Sequence, residues 1–551
     1  MKKLLLFFII LNFSSGTYGQ INLNVEASVS NLLRYGSGYE YTGSLKNSKE
    51  YFENLTDARL NVNGVTFGMR YQISQPREYG NDFLGIDRRF VQYEHESGIS
   101  FTAGDYWDII SRGLSLNVFE DWGLAYDTGI DGVRIKYKNT FGKKNPVKFM
   151  AQLIGGNIDY SDYLLPERIE KYRIRNAYGE ISPVKPLTIG LGYVYSTGDI
   201  PEEGSPTLVK TDLPEINFKY NIADFEFYAA YSHKTSLISP NEVYTEPQTA
   251  KGDGLYSSVS YSHKNTGITL EYKNYRYDIT LPDNRSNTRP SRMLPYQNPP
   301  TAKNEQLSTL MSRNPHVVDF NDEVGGMLDI VYSPTDKLSF ELNGSIASRH
   351  YEYTDTNSSG IVSYERVDRS DSYLPSLDDP FYPFWEIFFQ GENYASDELY
   401  YKAGISTQNS VIYNQIYPDK SEKIISTTFP FEIKYSFSKI YTVTFIGEQQ
   451  WVYNSLRTNS TSFNYTNQFF SLSLSKSPDM TLTVNAESTN DDEEPTGKNF
   501  WWLGEATYKI NESNSVLVSY GSERGGLRCA NGICRFVKPF EGFRLAVQTL
   551  F

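Results

Sequence analysis

The chain contains two cysteines, Cys529 and Cys534, in the segment Arg528-Cys-Ala-Asn-Gly-Ile-Cys-Arg535. Asn531-Gly532 is a strong signal for a type I′ hairpin turn, which brings the flanking residues together. In an exported protein, a close pair of this kind indicates a disulfide. A metal site is disfavoured because two thiolates without a clustered histidine are too few ligands. A redox-active pair is disfavoured because a hairpin lacks the helix terminus that activates such thiols.

A second group of residues with chemical potential lies in a long connection at residues 104–131. Acidic, aromatic and glycine residues are mixed there with one arginine, without periodicity. A loop that folds into an enclosed space needs this mixture, since apolar groups pack and charged groups pair with the wall. Structural constriction is favoured, and a binding site for cations or a polar solute stays open. The candidates are Asp105, Trp107, Arg112, Glu120, Asp121, Asp127 and Asp131.

Two further long segments carry distinctive side chains. The segment at 279–319 holds six prolines and the basic residues Arg285, Arg289 and Arg292. These arginines suit lipopolysaccharide phosphates, a polyanion or an acidic partner, although a solvated loop is the simpler interpretation. The segment at 351–396 is aromatic, and we expect either a hydrophobic plug over the lumen or a docking surface. Its candidates are Phe381, Tyr382, Phe384, Trp385, Phe388 and Phe389.

Enzymatic chemistry is not indicated. The five histidines are scattered, and no nucleophile-elbow, zinc-protease or phosphate-loop motif occurs. His233 and His263 both follow Tyr-Ser at the end of a strand pattern, which places them near one rim. We therefore predict no catalytic residue, no cofactor and no metal.

The elements that position these segments are strands. Apolar and polar residues alternate from end to end, most clearly at 431–437, 470–475 and 481–487. Short connections alternate with long ones at about 35–55, 104–131, 279–319 and 351–396. This pattern predicts an all-β fold, an antiparallel transmembrane β-barrel of about 22 strands (18 to 24), with short periplasmic turns and long extracellular or lumen-filling loops. Residues 397–418 fit either a further hairpin or the end of the preceding loop.

Both ends of the chain agree with a bacterial outer membrane. Met1-Lys-Lys, the apolar run Leu4–Leu11 and Thr17-Tyr-Gly19 predict a signal peptide over residues 1–19, followed by one barrel domain over 20–551. The segment Phe543–Phe551 alternates and ends on an aromatic residue. Such a segment is typical of a closing strand whose terminal ring sits at the lipid interface.

Composition supports the same class. Mean hydropathy is −0.48, as expected of a barrel with polar inward residues, and 44 tyrosines and 32 phenylalanines suit strands and aromatic girdles. The net charge of −14 argues against a nucleic-acid partner. The expected partners are outer-membrane lipid and other outer-membrane proteins or lipoproteins.

Several motifs resemble a known family. They include Gly104-Asp-Tyr, Ser111-Arg-Gly-Leu, Gly123-Leu-Ala-Tyr-Asp127, Asn321-Asp-Glu-Val-Gly-Gly326 and the cysteine segment. Together they are similar to an uncharacterised Bacteroidota outer-membrane barrel family in the domain-of-unknown-function class. The resemblance implies a fold and a compartment, and it supplies no reaction and no catalytic residues.

Two functions remain after these exclusions. The first is a loop-occluded channel or transporter for an unidentified solute. The second is a non-conducting structural or accessory subunit of an outer-membrane export, insertion or secretion complex. A continuous polar path through the lumen favours the first, and a blocked lumen with an outer aromatic patch favours the second.

Overall fold

The computed structural model describes residues 24–161, 168–201, 206–240, 245–277, 294–306, 308–356, 364–369, 372–414, 419–457 and 462–551. Within them, 24 antiparallel strands form one sheet, and this sheet closes because β1 pairs with both β2 and β30. Six shorter strands form three separate hairpins. The strands are β1(Val25–Thr42), β2(Leu45–Val62), β3(Val65–Ser74), β4(Phe83–Glu94), β5(Ile99–Tyr106), β6(Glu120–Asp121), β7(Tyr126–Asp127), β8(Ile130–Phe141), β9(Val147–Ser161), β10(Ile169–Val184), β11(Leu187–Ile200), β12(Thr207–Ile222), β13(Phe225–Ile238), β14(Gln248–His263), β15(Thr266–Tyr275), β16(Glu323–Thr335), β17(Leu338–Ser348), β18(Tyr351–Asp355), β19(Tyr364–Asp368), β20(Phe384–Tyr394), β21(Leu399–Ile412), β22(Glu422–Ser436), β23(Tyr441–Asn454), β24(Asn464–Lys476), β25(Met480–Thr489), β26(Phe500–Asn511), β27(Asn514–Glu523), β28(Gly526–Ala530), β29(Ile533–Val537) and β30(Phe540–Leu550).

The predicted class is confirmed, and the strand number is 24 rather than about 22. The ambiguous segment at 397–418 contains a barrel strand, β21, which pairs with β20. Part of the segment expected to be a loop at 351–396 is β20 itself. The expected signal peptide, residues 1–19, lies outside the described residues.

Connections differ on the two sides of the barrel. On one side they have two to five residues, and on the other they have six to 47 residues apart from the turn at 43–44. This asymmetry places the short side in the periplasm and the long side outside. The expected long connection at 35–55 is wrong, because β1 and β2 pair without interruption up to Thr42 and Leu45. Their charged residues suggested a loop, but these residues pair across the strands, as in the bond from the Tyr35 hydroxyl to Glu50 (2.9 Å).

The outer surface of the barrel carries an apolar band. Leu191, Leu153, Ile387 and Val484 are 62%, 57%, 56% and 56% exposed on it. A closed sheet pairs its backbone groups internally, and an exposed apolar band around it is stable in lipid. The protein is therefore an outer-membrane β-barrel.

Helical structure is minor. Met311–Arg313 and Asp379–Phe381 form single 3-10 turns in the long connections. No helix in the described residues is long and apolar enough to cross a membrane.

The lumen holds a hydrophobic core along one side. In the outer halves of β8 to β15 many of the buried inward side chains are apolar, as for Ile154, Ile174 and Val194, and they alternate with polar ones such as Ser196 and Ser232. They contact Leu114, Leu116 and other apolar residues of the long connections. A barrel of this width leaves an open lumen unless something fills it, and here the loops fill part of it as they would a soluble core.

Candidate functional site

The first lumen segment is the connection at 107–129, which folds inward between β5 and β8. Its backbone closes on itself, because the amide of Ile110 donates to the carbonyl of Leu116 at 2.9 Å and that of Val118 to Asp108 at 3.0 Å. Gly113 has a φ of +91°, and a Cβ there would lie 2.9 Å from the carbonyl oxygen of Asn298. Only glycine suits both the backbone angle and this close approach.

Charged residues attach this segment to the wall. Arg112 contacts Glu226 on β13 at 3.1 Å and donates to the Ser258 hydroxyl on β14 at 2.8 Å. Its guanidinium carbon also lies 4.1 Å from the centre of the Tyr228 ring. The segment is therefore held by one cation that makes ionic, hydrogen-bonding and ring contacts at once.

A second anchor involves acidic residues of the same segment. Glu120 accepts hydrogen bonds from Arg88 at 2.7 Å and from Arg70 at 3.1 Å. Asp127 accepts from Arg88 at 3.1 Å and from the indole nitrogen of Trp107 at 3.0 Å. Four of the seven predicted lumen candidates, Trp107, Arg112, Glu120 and Asp127, thus bind the segment to itself or to the wall.

The second lumen segment, at 294–322, is joined to the first by amide side chains. Asn298 donates to the carbonyl of Asn117 at 3.0 Å, and Asn117 donates to that of Asn298 at 2.8 Å. Gln297 donates to the Leu114 carbonyl at 3.1 Å. These bonds satisfy loop backbone groups that would otherwise be buried without partners.

The same segment crosses the lumen to the far wall. The amides of Thr309 and Leu310 donate to the carboxylate of Glu448 on β23 at 2.9 and 2.7 Å. Arg313 pairs with Glu487 on β25 and donates to the carbonyl of Arg524 at 2.9 Å. These contacts form a far latch, defined here as Glu448, Arg313 and their partners.

A buried ionic cluster holds the segment to the near wall. Lys273 on β15 and Glu323 on β16 form an ion pair with side chains that are 1% and 4% exposed. The Lys273 ammonium also donates to the Thr301 carbonyl at 2.6 Å. His316 lies with its Nε2 3.2 Å from Glu323, and its ring stacks on Phe384 at 4.3 Å. Both limbs of the segment therefore converge on this near clasp of Lys273, Glu323 and His316.

The near clasp predicts that acid favours opening. Burial lowers the pKa of His316, helped by Lys273 and Lys303, and attraction to Glu323 only partly offsets this. In a segment released into water, His316 would titrate near its ordinary value of about 6.5. As the pH falls below that value, the released state takes up a proton that the closed state excludes. The equilibrium constant for closing therefore falls by at most about tenfold per pH unit. Bilayer recordings at pH 7.5 and 5.5 should show more openings at the lower pH.

The control for this prediction is a second histidine. His316→Gln should remove the pH dependence, whereas His263→Gln should keep it, because His263 lies on the far periplasmic end of β14 beside Asp224. An unchanged pH dependence in the His316→Gln protein would contradict the assignment.

The cysteine hairpin forms the third part of the closure. Cys529 and Cys534 are joined by a disulfide, as predicted, and Asn531 and Gly532 have the positive φ angles of a type I′ turn. The hairpin starts at the outer ends of β27 and β30 and lies over the other two segments. The Gly532 amide donates to Glu305 at 3.4 Å, and Arg535 donates to the Tyr160 hydroxyl of β9 at 3.4 Å.

A polar cavity of about 680 Å³ lies beneath these segments. Loop residues such as Asn298 and Lys303 line its outer side, and residues of β14 to β17 line the rest. Glu271, Asp329 and Glu341 enter it from the adjacent strands β15, β16 and β17. Among the described residues, none of these three carboxylates forms an ion pair.

The carboxylates continue toward the periplasm. Asp329 faces Asn343 on β17, and Glu341 lies two residues nearer the periplasmic turn. Glu341 in turn faces Gln390 on β20, and Glu392 lies two residues nearer the periplasm again. We call Glu271, Asp329, Glu341 and Glu392 the acidic series, which descends from the cavity toward the inner opening.

Sequence comparison places the chain in a family. A family model described as "Family of unknown function (DUF6029)" matches residues 1–551. The chain belongs to this family. A search of curated proteins finds no match.

Several solved structures share the barrel architecture at low similarity. The siderophore receptor PirA from Pseudomonas aeruginosa is 7% identical with a TM-score of 0.43, over 96% of this chain and 80% of that one. The copper transporter OprC is 10% identical with a TM-score of 0.42, over 96% and 80%. The P pilus usher (PapC) translocation pore is 9% identical with a TM-score of 0.39, over 96% and 99%. These barrels differ too much from this one for the similarity to bear on function.

Two of the predicted lumen residues face outward instead. Asp105 and Asp131 are opposite one another on β5 and β8, and their neighbours Tyr106 and Ile130 are buried in the lumen core. Strand alternation therefore turns both carboxylates to the outer face, where Asp131 lies 3.4 Å from Arg89. The seventh candidate, Asp121, accepts the Leu124 amide at 2.9 Å and closes a turn.

The aromatic segment is not a single patch. Phe384 and Phe388 face inward and are buried, whereas Trp385 and Phe389 alternate with them on the outer face of β20. Only Phe381 and Tyr382 lie in the loop, at a 3-10 turn. The expectation of a loop is therefore wrong for four of the six residues, because they belong to a barrel strand, and only Trp385 and Phe389 of these face the lipid.

The remaining predicted residues and several contact residues without a local sequence signal complete the comparison with the structure. Arg285, Arg289 and Arg292 lie outside the described residues. His233 and His263 lie toward opposite ends of the barrel, on β13 and β14, not near one rim. Local sequence patterns do not indicate Glu448, Arg313 or Asn298. An isolated polar residue in a strand or loop carries no local signal of a partner more than 100 residues away.

Proposed function

We propose that this protein is an outer-membrane channel or transporter whose lumen is closed by three loop segments and opened by their displacement. The observation that carries the proposal is the polar cavity beneath the segments, together with the acidic series below it. A barrel with a purely structural task gains nothing from an unfilled polar cavity, since packed interiors are more stable. The solute is not identified.

The contacts that close the lumen support movement. The far latch depends on a few hydrogen bonds and one ion pair, so a modest free energy separates the attachment to the far wall from its release. The non-conducting alternative predicts a blocked lumen together with an exposed aromatic patch at 381–389. Loop segments do close the lumen, but most of the patch belongs to the barrel wall. The alternative is not favoured.

The direct test is to weaken the far latch. Arg313→Ala combined with Glu448→Gln removes the ion pair with Glu487 and weakens the cap on Thr309 and Leu310. We expect intermittent currents in planar bilayers, with an open time about tenfold longer than that of the unaltered protein, because the lost contacts amount to roughly 1–2 kcal/mol. Glu505→Gln is the matched control, since Glu505 bonds to Asn485 of the wall and not to a lumen segment. A folded double variant that stays closed would contradict the proposal.

A further inference from the structure

Cations stand on the outer wall directly above the apolar band. Lys171, Arg173 and Arg175 are exposed along β10 and alternate with Tyr172 and Ile174, which are buried in the lumen core. All three therefore point away from the barrel. Their position on the long-loop side of the strand puts them toward the cell exterior.

The height of these cations follows from the register. The next outward residue toward the periplasm is Ala177, which faces Leu153 on β9 and Tyr193 on β11. Leu153 and Tyr193 are exposed members of the apolar band, at 57% and 44%. Arg175 lies one outward position, about 7 Å, above this row. The cations therefore lie at the depth of lipid headgroups, where an aromatic residue marks the interface.

A third strand brings another cation to the same place. Arg173 faces Thr197 on β11, and Thr197 faces Lys210 on β12, which is also exposed. Strands two apart are separated by about 10 Å, so the long side chains of Arg173 and Lys210 can meet over Thr197. Gly155, which faces Arg175 on β9, leaves open space beside it. We call Arg173, Arg175 and Lys210 the outer basic site.

The carboxylates nearest in register to these cations lie two strands away, Asp212 from Arg175 and Asp131 from Arg173. Within the described residues none of the three cations forms an ion pair, whereas lumen arginines such as Arg34, Arg88 and Arg524 each contact a carboxylate. Lys171 differs, because it faces Asp159 on one side and Asp199 on the other. In a chain with a net charge of −14, a group of cations without ion pairs on two adjacent rows of the outer wall is suited to an anion from outside the chain.

We infer that the outer basic site binds the phosphate groups of the glycolipid in the outer leaflet, namely the lipid A part of lipopolysaccharide. Guanidinium groups bind phosphate oxygens through two parallel hydrogen bonds, and the ammonium adds a point charge. The acyl chains of the same lipid would lie along the apolar band below Arg175. This inference does not depend on transport.

The test measures lipid binding by the full chain. The protein in a neutral detergent is titrated with lipid A that carries both phosphates, and bound lipid is counted by native mass spectrometry. The triple variant Arg173→Gln, Arg175→Gln and Lys210→Gln should bind at least about tenfold more weakly, since each of the three cations attracts the anionic headgroup. Lys171→Gln, on the same face of the same strand, should bind as the unaltered protein does.

Further measurements distinguish phosphate recognition from other modes of lipid binding. Dephosphorylated lipid A should bind the unaltered protein as weakly as lipid A binds the triple variant. Inorganic phosphate should not displace lipid A, because the acyl chains hold the lipid as well. Heat-dependent migration in gels reports that each variant is a folded barrel. The inference fails if the folded triple variant retains lipid A, if Lys171→Gln loses it equally, or if inorganic phosphate competes at equal concentration.

Discussion

Removal of residues 296–316 is expected to turn the barrel into a permanently open channel that prefers cations. This segment spans the lumen from the near clasp to the far latch. A short glycine-serine linker in its place would leave no chain between those two attachments, while the segment at 107–129 and the cysteine hairpin would remain. The acidic series would then line the path without paired cations, and a ring or row of carboxylates selects for cations. Recordings in planar bilayers should show a steady current. In a salt gradient, the reversal potential should shift toward the equilibrium potential of the cation.

Neutralising three of the four members of the acidic series in the same open variant gives the matched comparison. Asp329→Asn, Glu341→Gln and Glu392→Gln together should keep the current and abolish most of the cation preference. The three substitutions preserve hydrogen-bonding groups, such as the one that accepts from Asn343 at 3.1 Å. A folded open variant without current would defeat the channel proposal, whereas current without cation preference would defeat only the role of the carboxylates.

Lys273→Met is expected to be the most destabilising single substitution in the wall. It leaves Glu323 charged and buried without its cation, and it also removes the bond to the Thr301 carbonyl. Breaking a buried ion pair by removing one partner costs about 3–5 kcal/mol. Urea unfolding followed by tryptophan fluorescence measures this loss as a lower midpoint.

Lys402→Met is the control for that loss. Lys402 pairs with Glu432 at 3.2 Å, but these side chains are 33% and 22% exposed, so the expected loss is at most about 1 kcal/mol. The double variant Lys273→Met with Glu323→Gln should recover part of the stability, since it no longer buries a charge. Equal losses for Lys273→Met and Lys402→Met would show that the near clasp contributes nothing special.

Local patterns predicted the strands well and the ends of some strands poorly. Alternation at 470–475 and 481–487 corresponds to β24 and β25. The alternation of apolar and polar residues does not predict the part of a strand that extends beyond the membrane. There, the hairpin of β1 and β2 carries charged residues on its outer face, where lipid would otherwise require apolar ones. It also fails at 384–389, where both faces of β20 are aromatic and the period of two is hidden.

The lumen segments were likewise predicted in part by local sequence patterns. The mixed composition of 104–131 predicted a loop that folds inward, whereas the proline-rich segment at 279–319 was expected to be a solvated loop and its described part lies in the lumen instead. The direction of Asp105 and Asp131 could not be read from 104–131, since a shift of one residue reverses every side chain.

The sequence by itself determined the barrel class, the membrane and the Cys529–Cys534 hairpin. Each of these depends on neighbours a few residues apart: alternation, turn residues and a disulfide across one turn. Only the tertiary structure decided how the lumen is closed, because Glu448, Lys273 and Asn298 act on partners distant in the chain. Closure of the sheet also decided which outer cations share one depth, since strand register brings Arg173 and Lys210 to the same row.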